Sequence, residues 1–157
     1  MLQIYPTSKK TIYLYVNFNI SNFSKNYINN EVKLREWYRP FAPSVLEEYQ
    51  ANIFELDTYS PYMLVTTTVK PEWREKLPAI THVDNTARYQ TVTSENNEKY
   101  HNLISAFYQK TGLPVLLNTS FNGPDEPIVE TPENALRTFI RRNMFALVIN
   151  NYLITRK

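Results

Sequence analysis

Residues 88–117 read RYQTVTSENNEKYHNLISAFYQKTGLPVLL, and this stretch decides the fold. Its first six residues, 88–93, alternate in chemical character as the two faces of a strand do. Apolar residues within 95–110 recur at a spacing of three and four, which predicts a helix that ends at Gly112. The apolar run 114–117 then predicts a short, buried central strand. Strand, helix and strand in this order favour an α/β (α+β) domain with a mixed sheet.

The same criteria predict further elements on both sides of this stretch. Residues 20–30 are rich in Asn, Ser and Lys and predict a loop or a poorly ordered lead-in. Thr131 followed by Pro132 and an acid is typical of a helix start. The remaining predicted elements are a strand at 11–18, a strand leading into a helix at 41–54, a strand at 62–69, a helix from 132 to about 142, and a final hairpin of 146–149 and 152–155 that turns at Asn150-Asn151.

Composition excludes several classes of function. The chain has 157 residues, 43% of them hydrophobic, which suits one domain with a real core. It has no Cys, two His and two Gly, so thiolate catalysis, Cys-ligated or His-rich metal centres and glycine-rich phosphate loops are excluded. A net charge of +2 argues against nucleic acid as a partner. Without a membrane span, a signal-peptide pattern or Cys, we expect a cytoplasmic protein.

One candidate site is basic. Lys33, Arg35 and Arg39 fall within seven residues, and Arg88 adds a fourth cation on a predicted strand. In an extended segment Lys33 and Arg35 share a face, whereas in a helix Arg35 and Arg39 share one. Such cations can clamp several phosphates, with Arg offering a planar fork and Lys a point charge. The alternative is an ordinary solvated basic surface.

A second candidate site is polar. Asn118, Ser120 and Asn122 directly follow the apolar run 114–117, and they share one face if the strand persists. Ligands of open α/β sheets bind beyond the carboxyl ends of the strands, so a polar cluster at this position is a candidate binding site. The alternative is a strand end whose turn-forming side chains satisfy the local backbone.

Other residues suggest chemistry less specifically. Four acids could contribute to a metal site, although their spacing does not require one, and we predict no metal ligands. His82 could act as a base, but a lone His is more often structural. Trp37 and Trp73 are predicted to pack in the core or at its edge rather than to stack on bases. The four acids are Asp84, Asp125, Glu126 and Glu133.

Several long stretches resemble the C-terminal domain of the O-carbamoyltransferases that act in nodulation-factor and antibiotic biosynthesis. The resemblance covers a predicted domain at 26–157 and leaves 1–25 as a divergent lead-in. The matching stretches are 33–46 (KLREWYRPFAPSVL), 60–64 (SPYML), 77–92 (LPAITHVDNTARYQTV), 112–122 (GLPVLLNTSFN), 126–129 (EPIV), 131–139 (TPENALRTF) and 152–157.

The resemblance implies a YrdC-like fold, with a mixed twisted sheet flanked by helices. It implies binding of ATP and carbamoyl phosphate and formation of a carbamoyl-adenylate, with Mg²⁺ carried by the nucleotide. The fold family uses a K-x-R pair and an S-x-N pair, which are here Lys33-Leu34-Arg35 and Ser120-Phe121-Asn122. Lys33, Arg35 and Arg88 are the implied catalytic residues, and the implied ligand-binding residues are Lys33, Arg35, Arg39, Arg88, Asn118, Ser120 and Asn122.

The chain also departs from this family. Family members carry a large N-terminal domain with a Kae1-like ATPase fold that transfers the carbamoyl group to the acceptor hydroxyl, so we expect a separate subunit of that kind as a partner. The glycine-rich segment expected before the K-x-R pair is replaced by 11–19. A non-catalytic remnant or interaction module is therefore the alternative. Asn85, Asp125 and Asn150 stand where the family has Gly, which predicts positive φ at these positions.

Overall fold

The computed structural model describes the backbone of residues 2–5 and 12–15 and all of residues 21–156. The described residues fall into two compact units. The terminal unit contains residues 2–5, 12–15, 23–39 and 120–156, and the central unit contains residues 21–22 and 40–119. The elements in chain order are β1 (Leu2–Tyr5), β2 (Ile12–Tyr15), α1 (Asn22–Tyr27), a π-helical turn (Ile28–Val32), β3 (Ala42–Leu46), α2 (Glu47–Ile53), β4 (Val65–Thr68), α3 (Pro71–Arg74), β5 (Thr86–Val92), α4 (Ser94–Thr111), β6 (Val115–Asn118), α5 (Pro132–Arg141), β7 (Ala146–Ile149) and β8 (Tyr152–Arg156).

The central unit contains a four-stranded mixed sheet in the order β4-β5-β3-β6. β3 runs parallel to β5, with Ser44 opposite Gln90, and antiparallel to β6, with Ala42 opposite Asn118. The predicted α/β class with a mixed sheet is thereby confirmed, while the YrdC-like topology and the boundaries at residues 25 and 26 stay predictions. The prediction that 114–117 forms a central strand is wrong, because β6 lies at the edge of the described sheet. Residues of β6 are apolar because α4 packs on the strand and buries a face of it. They are not apolar because the strand is central in the sheet.

Local capping signals explain where α4 begins, bends and ends. The side chain of Thr93 accepts a hydrogen bond from the Asn96 amide at the first turn. Asn97 then has non-helical φ and ψ, and its side-chain oxygen accepts from the Tyr100 amide, so it caps the continuing helix like a second helix start. Gly112 closes the helix with φ +72, as predicted.

The terminal unit contains an antiparallel sheet in the order β1-β8-β7-β2 and the helix α5. The predicted cap at Thr131 is confirmed, since its side chain accepts a hydrogen bond from the Asn134 amide. The final hairpin of β7 and β8 is confirmed as well. Within the predicted strand 11–18, Ile12–Tyr15 is a strand and the rest lies outside the described residues. The core of this unit is formed by apolar side chains that include Ile28, Val32, Phe139, Met144, Leu147 and Ile154.

The prediction of a loop or disordered lead-in at 20–30 is wrong for its described part. Residues 22–27 form α1, and Ile28–Val32 continue it as a π-helical turn. Ile28 and Val32 are four positions apart and both are 2% exposed or less. Burial of these two side chains outweighs the weak helix propensity of the surrounding Asn residues.

The three positions where Asn or Asp replaces a family Gly all have positive φ, which confirms the prediction. The φ angles are 65° at Asn85, 56° at Asp125 and 53° at Asn150. Asn and Asp tolerate this region better than other side chains, so the turns keep their shape without Gly. No helix within the part of the chain that the structure describes is both long enough and apolar enough to cross a membrane.

Candidate functional site

Lys33 is the centre of a polar cluster in the terminal unit. Its ammonium donates to the carbonyl oxygen (2.6 Å) and hydroxyl (3.1 Å) of Ser120, and to the carbonyl oxygen (3.1 Å) and side-chain oxygen (2.7 Å) of Asn122. The Ser120 hydroxyl in turn donates to the Asn122 side-chain oxygen at 2.7 Å. The K-x-R and S-x-N pairs, which lie far apart in sequence, therefore meet through Lys33.

The charge of Lys33 has no counter-ion among the described residues. Its four acceptors are neutral oxygens, and the residue is 9% exposed. Burial, with a smaller contribution from the neighbouring positive charge of Arg35, lowers the pKa of the Lys33 ammonium from 10.5 to about 8. A buried cation without an anion is costly by itself and favours an anionic ligand.

Asn29 in the π-helical turn positions Arg35. The side-chain oxygen of Asn29 accepts from Arg35 Nε at 2.8 Å, and its backbone oxygen accepts from the Arg35 amide at 2.9 Å. Its amide nitrogen donates to the carbonyl oxygens of Trp37 (3.2 Å) and Arg39 (2.8 Å). Asn29 is fully buried, so one side chain fixes the course of the whole segment from 35 to 39. A π-helical turn at such a position is common at functional sites.

The segment after Lys33 follows neither of the two conformations considered from sequence. It bends at Leu34, which has φ 46° although its side chain is neither Asn nor Gly. Leu34 is 59% exposed, so no burial of its side chain explains this conformation. A leucine in the left-handed region is strained by about 1–2 kcal/mol, and such strain concentrates at binding sites.

Arg39 and Trp37 lie on the surface of this segment. Arg39 forms an exposed ion pair with Glu36 at 3.4 Å, and its charge lowers the pKa of Arg35 after the larger effect of burial. Glu36, which pairs with Arg39 and acts on the pKa of Arg35 in the opposite direction, offsets part of the positive charge of this segment. Trp37 is 65% exposed and contacts Tyr38 edge to face, so the prediction that it packs in the core or at its edge is wrong.

A turn supported by Glu126 carries Asn122. The Asn122 amide nitrogen donates to the Glu126 carbonyl oxygen at 2.9 Å, and the Gly123 amide donates to the Glu126 carboxylate at 3.0 Å. Arg141 and Arg142 reach the other carboxylate oxygen at 3.5 and 3.7 Å. A Cβ at Gly123 would lie 2.7 Å from both Glu126 Oε2 and Arg142 Nε, so any other residue here would displace the side-chain ends that hold this turn.

The other predicted site residues, Arg88 and Asn118, lie on one face of the central unit's sheet. The Asn118 amide nitrogen donates to the Ser44 hydroxyl (2.9 Å) and the Gln90 side-chain oxygen (2.8 Å). Arg88 lies two residues from Gln90 on the same side of β5, is exposed, and makes no hydrogen bond or ion pair with any described residue. β6 ends at Asn118, so the strand does not persist, and the condition under which Asn118, Ser120 and Asn122 would share one strand face is not met.

The acids and histidines considered from sequence have local structural roles. Asp84 accepts from the amide and hydroxyl of Thr86 in a turn, which lowers the pKa of its carboxyl. The backbone of His82 closes the same turn by accepting from Asn85, and His101 pairs with Glu48 at 3.0 Å. Within residues 2–5, 12–15 and 21–156, no three His, Asp or Glu side chains converge as metal ligands would.

Sequence reasoning missed three residues that organise the surroundings of Lys33 and of Asn118. Asn29 lay in the Asn-rich stretch interpreted as a loop, and nothing in its local pattern distinguishes it. For the pair of Ser44 and Gln90, the sequence offers one signal. Strand alternation places Gln90 on the same face as Arg88. The contact of Ser44 and Gln90 with Asn118 depends on the order of strands, which the sequence does not specify.

Comparison with known proteins identifies the family. Residues 19–156 match the family model described as "Carbamoyltransferase C-terminus". The chain is 47% identical over 137 residues to Nodulation protein NolNO of Sinorhizobium fredii, which covers 85% of this chain and 20% of that protein. It is 44% identical over 137 residues to Nodulation protein NolO of Bradyrhizobium diazoefficiens, covering 85% of this chain and 25% of that protein.

A third relative, Nodulation protein U of Rhizobium tropici, is 43% identical over 98 residues, covering 62% of this chain and 17% of that protein. The chain thus spans a quarter or less of the length of these relatives. The family model nevertheless matches nearly the whole chain and includes both the Lys33 cluster and the Asn118 face. The chain therefore belongs to the carbamoyltransferase family, as a C-terminal domain of that family.

Proposed function

We propose that this domain binds ATP and carbamoyl phosphate and forms carbamoyl-adenylate, which a separate or N-terminal Kae1-like partner transfers to an acceptor hydroxyl. A carbamoyl oxygen bonds to the α-phosphorus, and the bond from that phosphorus to the β-phosphate oxygen breaks. Pyrophosphate leaves. The attacking oxygen belongs to carbamate, which forms when water attacks the phosphorus of carbamoyl phosphate, breaks its P–O bond to the carbamoyl group and releases inorganic phosphate. Mg²⁺ enters with the nucleotide, as is usual for phosphate-bound Mg²⁺.

The single observation that carries the proposal is the uncompensated charge of Lys33. A buried ammonium held by four neutral oxygens, with Arg35 beside it, suits a ligand that brings its own negative charge. Two polyanionic substrates repel one another, so cations are needed to bring them together. Transfer at phosphorus then depends on position and charge stabilisation rather than on a protein nucleophile.

The residues divide the proposed work between them. Lys33, Arg35 and Arg88 act on phosphate oxygens in the reaction, and Arg39 adds to the attraction for the anions. Ser120 and Asn122 orient the triphosphate while Lys33 holds their loop. Asn118 contacts the nucleotide or carbamoyl phosphate from the sheet of the central unit.

One observation favours a second function, that of a non-catalytic remnant or interaction module. The three hydrogens of the Lys33 ammonium already serve four acceptors of its own chain, so the residue also suits a purely structural role. Under this alternative the domain folds and has no affinity for nucleotide.

Pyrophosphate release from ATP and Mg²⁺, with and without carbamoyl phosphate, tests the proposal. We expect release that depends on carbamoyl phosphate and falls by about 100-fold or more in Lys33→Ala, because removal of a charge aimed at the reacting phosphates has that size of effect. Lys25→Ala, which removes a lysine of α1 in the same unit, should leave release unchanged. A folded wild-type protein that neither binds ATP nor releases pyrophosphate would establish the remnant alternative instead.

A further inference from the structure

The orientation of the Asn118 side chain is fixed by a relay of hydrogen bonds that starts at Pro61. The carbonyl oxygen of Pro61 can only accept, so the amide nitrogen of Gln90, 3.0 Å away, must face it. The side-chain oxygen of Gln90 therefore faces the opposite way. There it accepts from the Ser44 hydroxyl at 2.8 Å and from the Asn118 amide nitrogen at 2.8 Å.

Ser44 completes the relay. Its only hydroxyl hydrogen is used on Gln90, so toward Asn118 it can only accept, and the Asn118 amide nitrogen donates to it at 2.9 Å. Both amide hydrogens of Asn118 are thus occupied. A flipped Asn118 would bring its oxygen against the Gln90 oxygen and lose both bonds. The network therefore assigns the orientation of Asn118 without ambiguity.

This orientation leaves the side-chain oxygen of Asn118 as the atom available to a ligand. No described residue donates a hydrogen bond to it, and Asn118 lies half-buried at the carboxyl end of β6. An amide oxygen accepts hydrogen bonds and cannot donate them, so it cannot bind an ionised phosphate oxygen. It suits a ligand group that carries N–H.

We infer that Asn118 recognises an N–H group of the substrate, and that Ser44 and Gln90 are positioning residues that hold its oxygen toward that group. This inference rests on the proposed function, whose two substrates each carry such a group. One is the amide –NH₂ of carbamoyl phosphate and the other is the 6-amino group of adenine. A site with a fixed acceptor rejects an analogue that lacks the donor, because the acceptor is then left without a partner.

Two matched pairs of ligands separate these sources. Acetyl phosphate replaces the –NH₂ of carbamoyl phosphate with a methyl group, and inosine triphosphate replaces the 6-amino group of ATP with an oxygen. Dissociation constants for all four, measured by calorimetry on the wild type, Asn118→Ala and Gln90→Ala, give the preference within each pair. We expect the wild type to prefer the N–H member of one pair by about tenfold or more. That preference should fall to about twofold in both variants.

A control variant isolates the positioning role. Thr86→Val removes one side-chain hydrogen bond from the same strand, outside the relay, and should retain the preference that Gln90→Ala loses. Because the preference is a ratio measured on one preparation, partial unfolding of a variant does not alter it.

The outcomes distinguish this inference from the proposed function. A wild type that binds ATP and carbamoyl phosphate but shows no preference in either pair overturns the inference alone. Retention of the preference in Asn118→Ala or Gln90→Ala also overturns it. Absence of any binding of ATP and carbamoyl phosphate to the folded wild type overturns the proposed function and this inference with it.

Discussion

Two buried polar clusters, one taken from each unit, differ in charge. In the central unit, Gln50 is 1% exposed and joins two residues of β5. Its amide nitrogen donates to the Tyr89 hydroxyl at 3.2 Å, and its oxygen accepts from the Thr91 hydroxyl at 3.0 Å. The Tyr89 hydroxyl donates to the Thr58 carbonyl oxygen at 2.5 Å, and Thr91 accepts from the Ser60 amide at 2.9 Å. The cluster buries no charged group, and the Asp57 carboxylate, which accepts from the Gln50 amide nitrogen at 3.4 Å, is exposed.

The cluster in the terminal unit has the same kinds of acceptor but a charged donor. Lys33 donates to carbonyl, hydroxyl and amide oxygens of Ser120 and Asn122, and none of them carries a compensating charge. Burial accordingly lowers the pKa of Lys33 to about 8, whereas no charged group has to be buried around Gln50. A neutral, satisfied network stabilises the fold, while an uncompensated charge reduces stability and is useful only to a ligand.

The largest effect that separates the two clusters should be on stability. Gln50→Leu conserves volume but removes one hydrogen bond from the Tyr89 hydroxyl and leaves the Thr91 hydroxyl hydrogen without its buried acceptor, so we expect the free energy of unfolding to fall by about 3 kcal/mol. Lys33→Met loses hydrogen bonds but also removes the buried charge, and the two effects offset to within about 1 kcal/mol. Urea unfolding followed by circular dichroism measures both. Equal losses in the two variants would show that Lys33 is a structural residue.

The pH dependence of the free energy of unfolding should identify the charged cluster. In the unfolded chain Lys33 keeps its ordinary pKa of 10.5, and in the folded chain the pKa is about 8. Between pH 8 and 10.5 the unfolded state therefore binds the proton that the folded state has released, so this group makes the fold more stable as pH rises. Below about pH 8 both states carry the charge, and the full destabilisation is present.

Affinity for ATP should fall as pH rises, whereas stability rises, because the neutral amine of Lys33 no longer attracts phosphate. We expect binding to weaken above about pH 8 in the wild type and to keep the same pH dependence in Gln50→Leu. The difference between the wild type and Lys33→Met isolates this group from others that titrate in the same range. Calorimetric titrations and urea unfolding from pH 7 to 10 provide the measurements. If stability and ATP affinity depend on pH in the same way in the wild type and in Lys33→Met, Lys33 is not the group that titrates.

The features predicted correctly from sequence are those with a local cause. Thr131 caps α5 through an amide three residues away, and Gly112 ends α4 because the backbone there needs φ +72. The positive φ angles at Asn85 and Asp125 follow from the resemblance, because Asn and Asp stand there where the family has Gly and both tolerate this conformation. In each case the residue and its consequence lie within a few positions of one another, so no knowledge of the tertiary structure is needed.

The candidate site could be predicted only as a set of residues. Residue type and resemblance pointed to Lys33, Ser120 and Asn122, but their contact spans 87 residues or more and depends on how the terminal unit packs. Asn29 had no signal, because a buried Asn within an Asn-rich stretch differs from its neighbours only in tertiary context. The edge position of β6 was missed for a related reason, since an apolar run reports burial of a face and not the order of strands.

The smallest effect should reveal where the backbone is strained. Leu34 and Asn85 both have positive φ, 46° and 65°, one in each unit. Replacement of Leu34 by Gly removes about 1–2 kcal/mol of left-handed strain and adds up to about 1 kcal/mol of chain entropy, so we expect Leu34→Gly to raise the free energy of unfolding by about 0.5–1 kcal/mol. Asn85→Gly should change it by only a few tenths, since Asn already tolerates this conformation. Urea unfolding of the two variants gives the comparison.

The same pair of variants links the strain to the site. Leu34 separates Lys33 from Arg35, and its fixed conformation sets the spacing of the two cations. Gly at this position relaxes that constraint, so we expect affinity for ATP to fall about two- to threefold in Leu34→Gly although the fold is more stable. Asn85→Gly should leave the affinity unchanged. If both variants gain stability equally, or if Leu34→Gly binds ATP as well as the wild type, the bend at Leu34 is a feature of the fold and not of ligand binding.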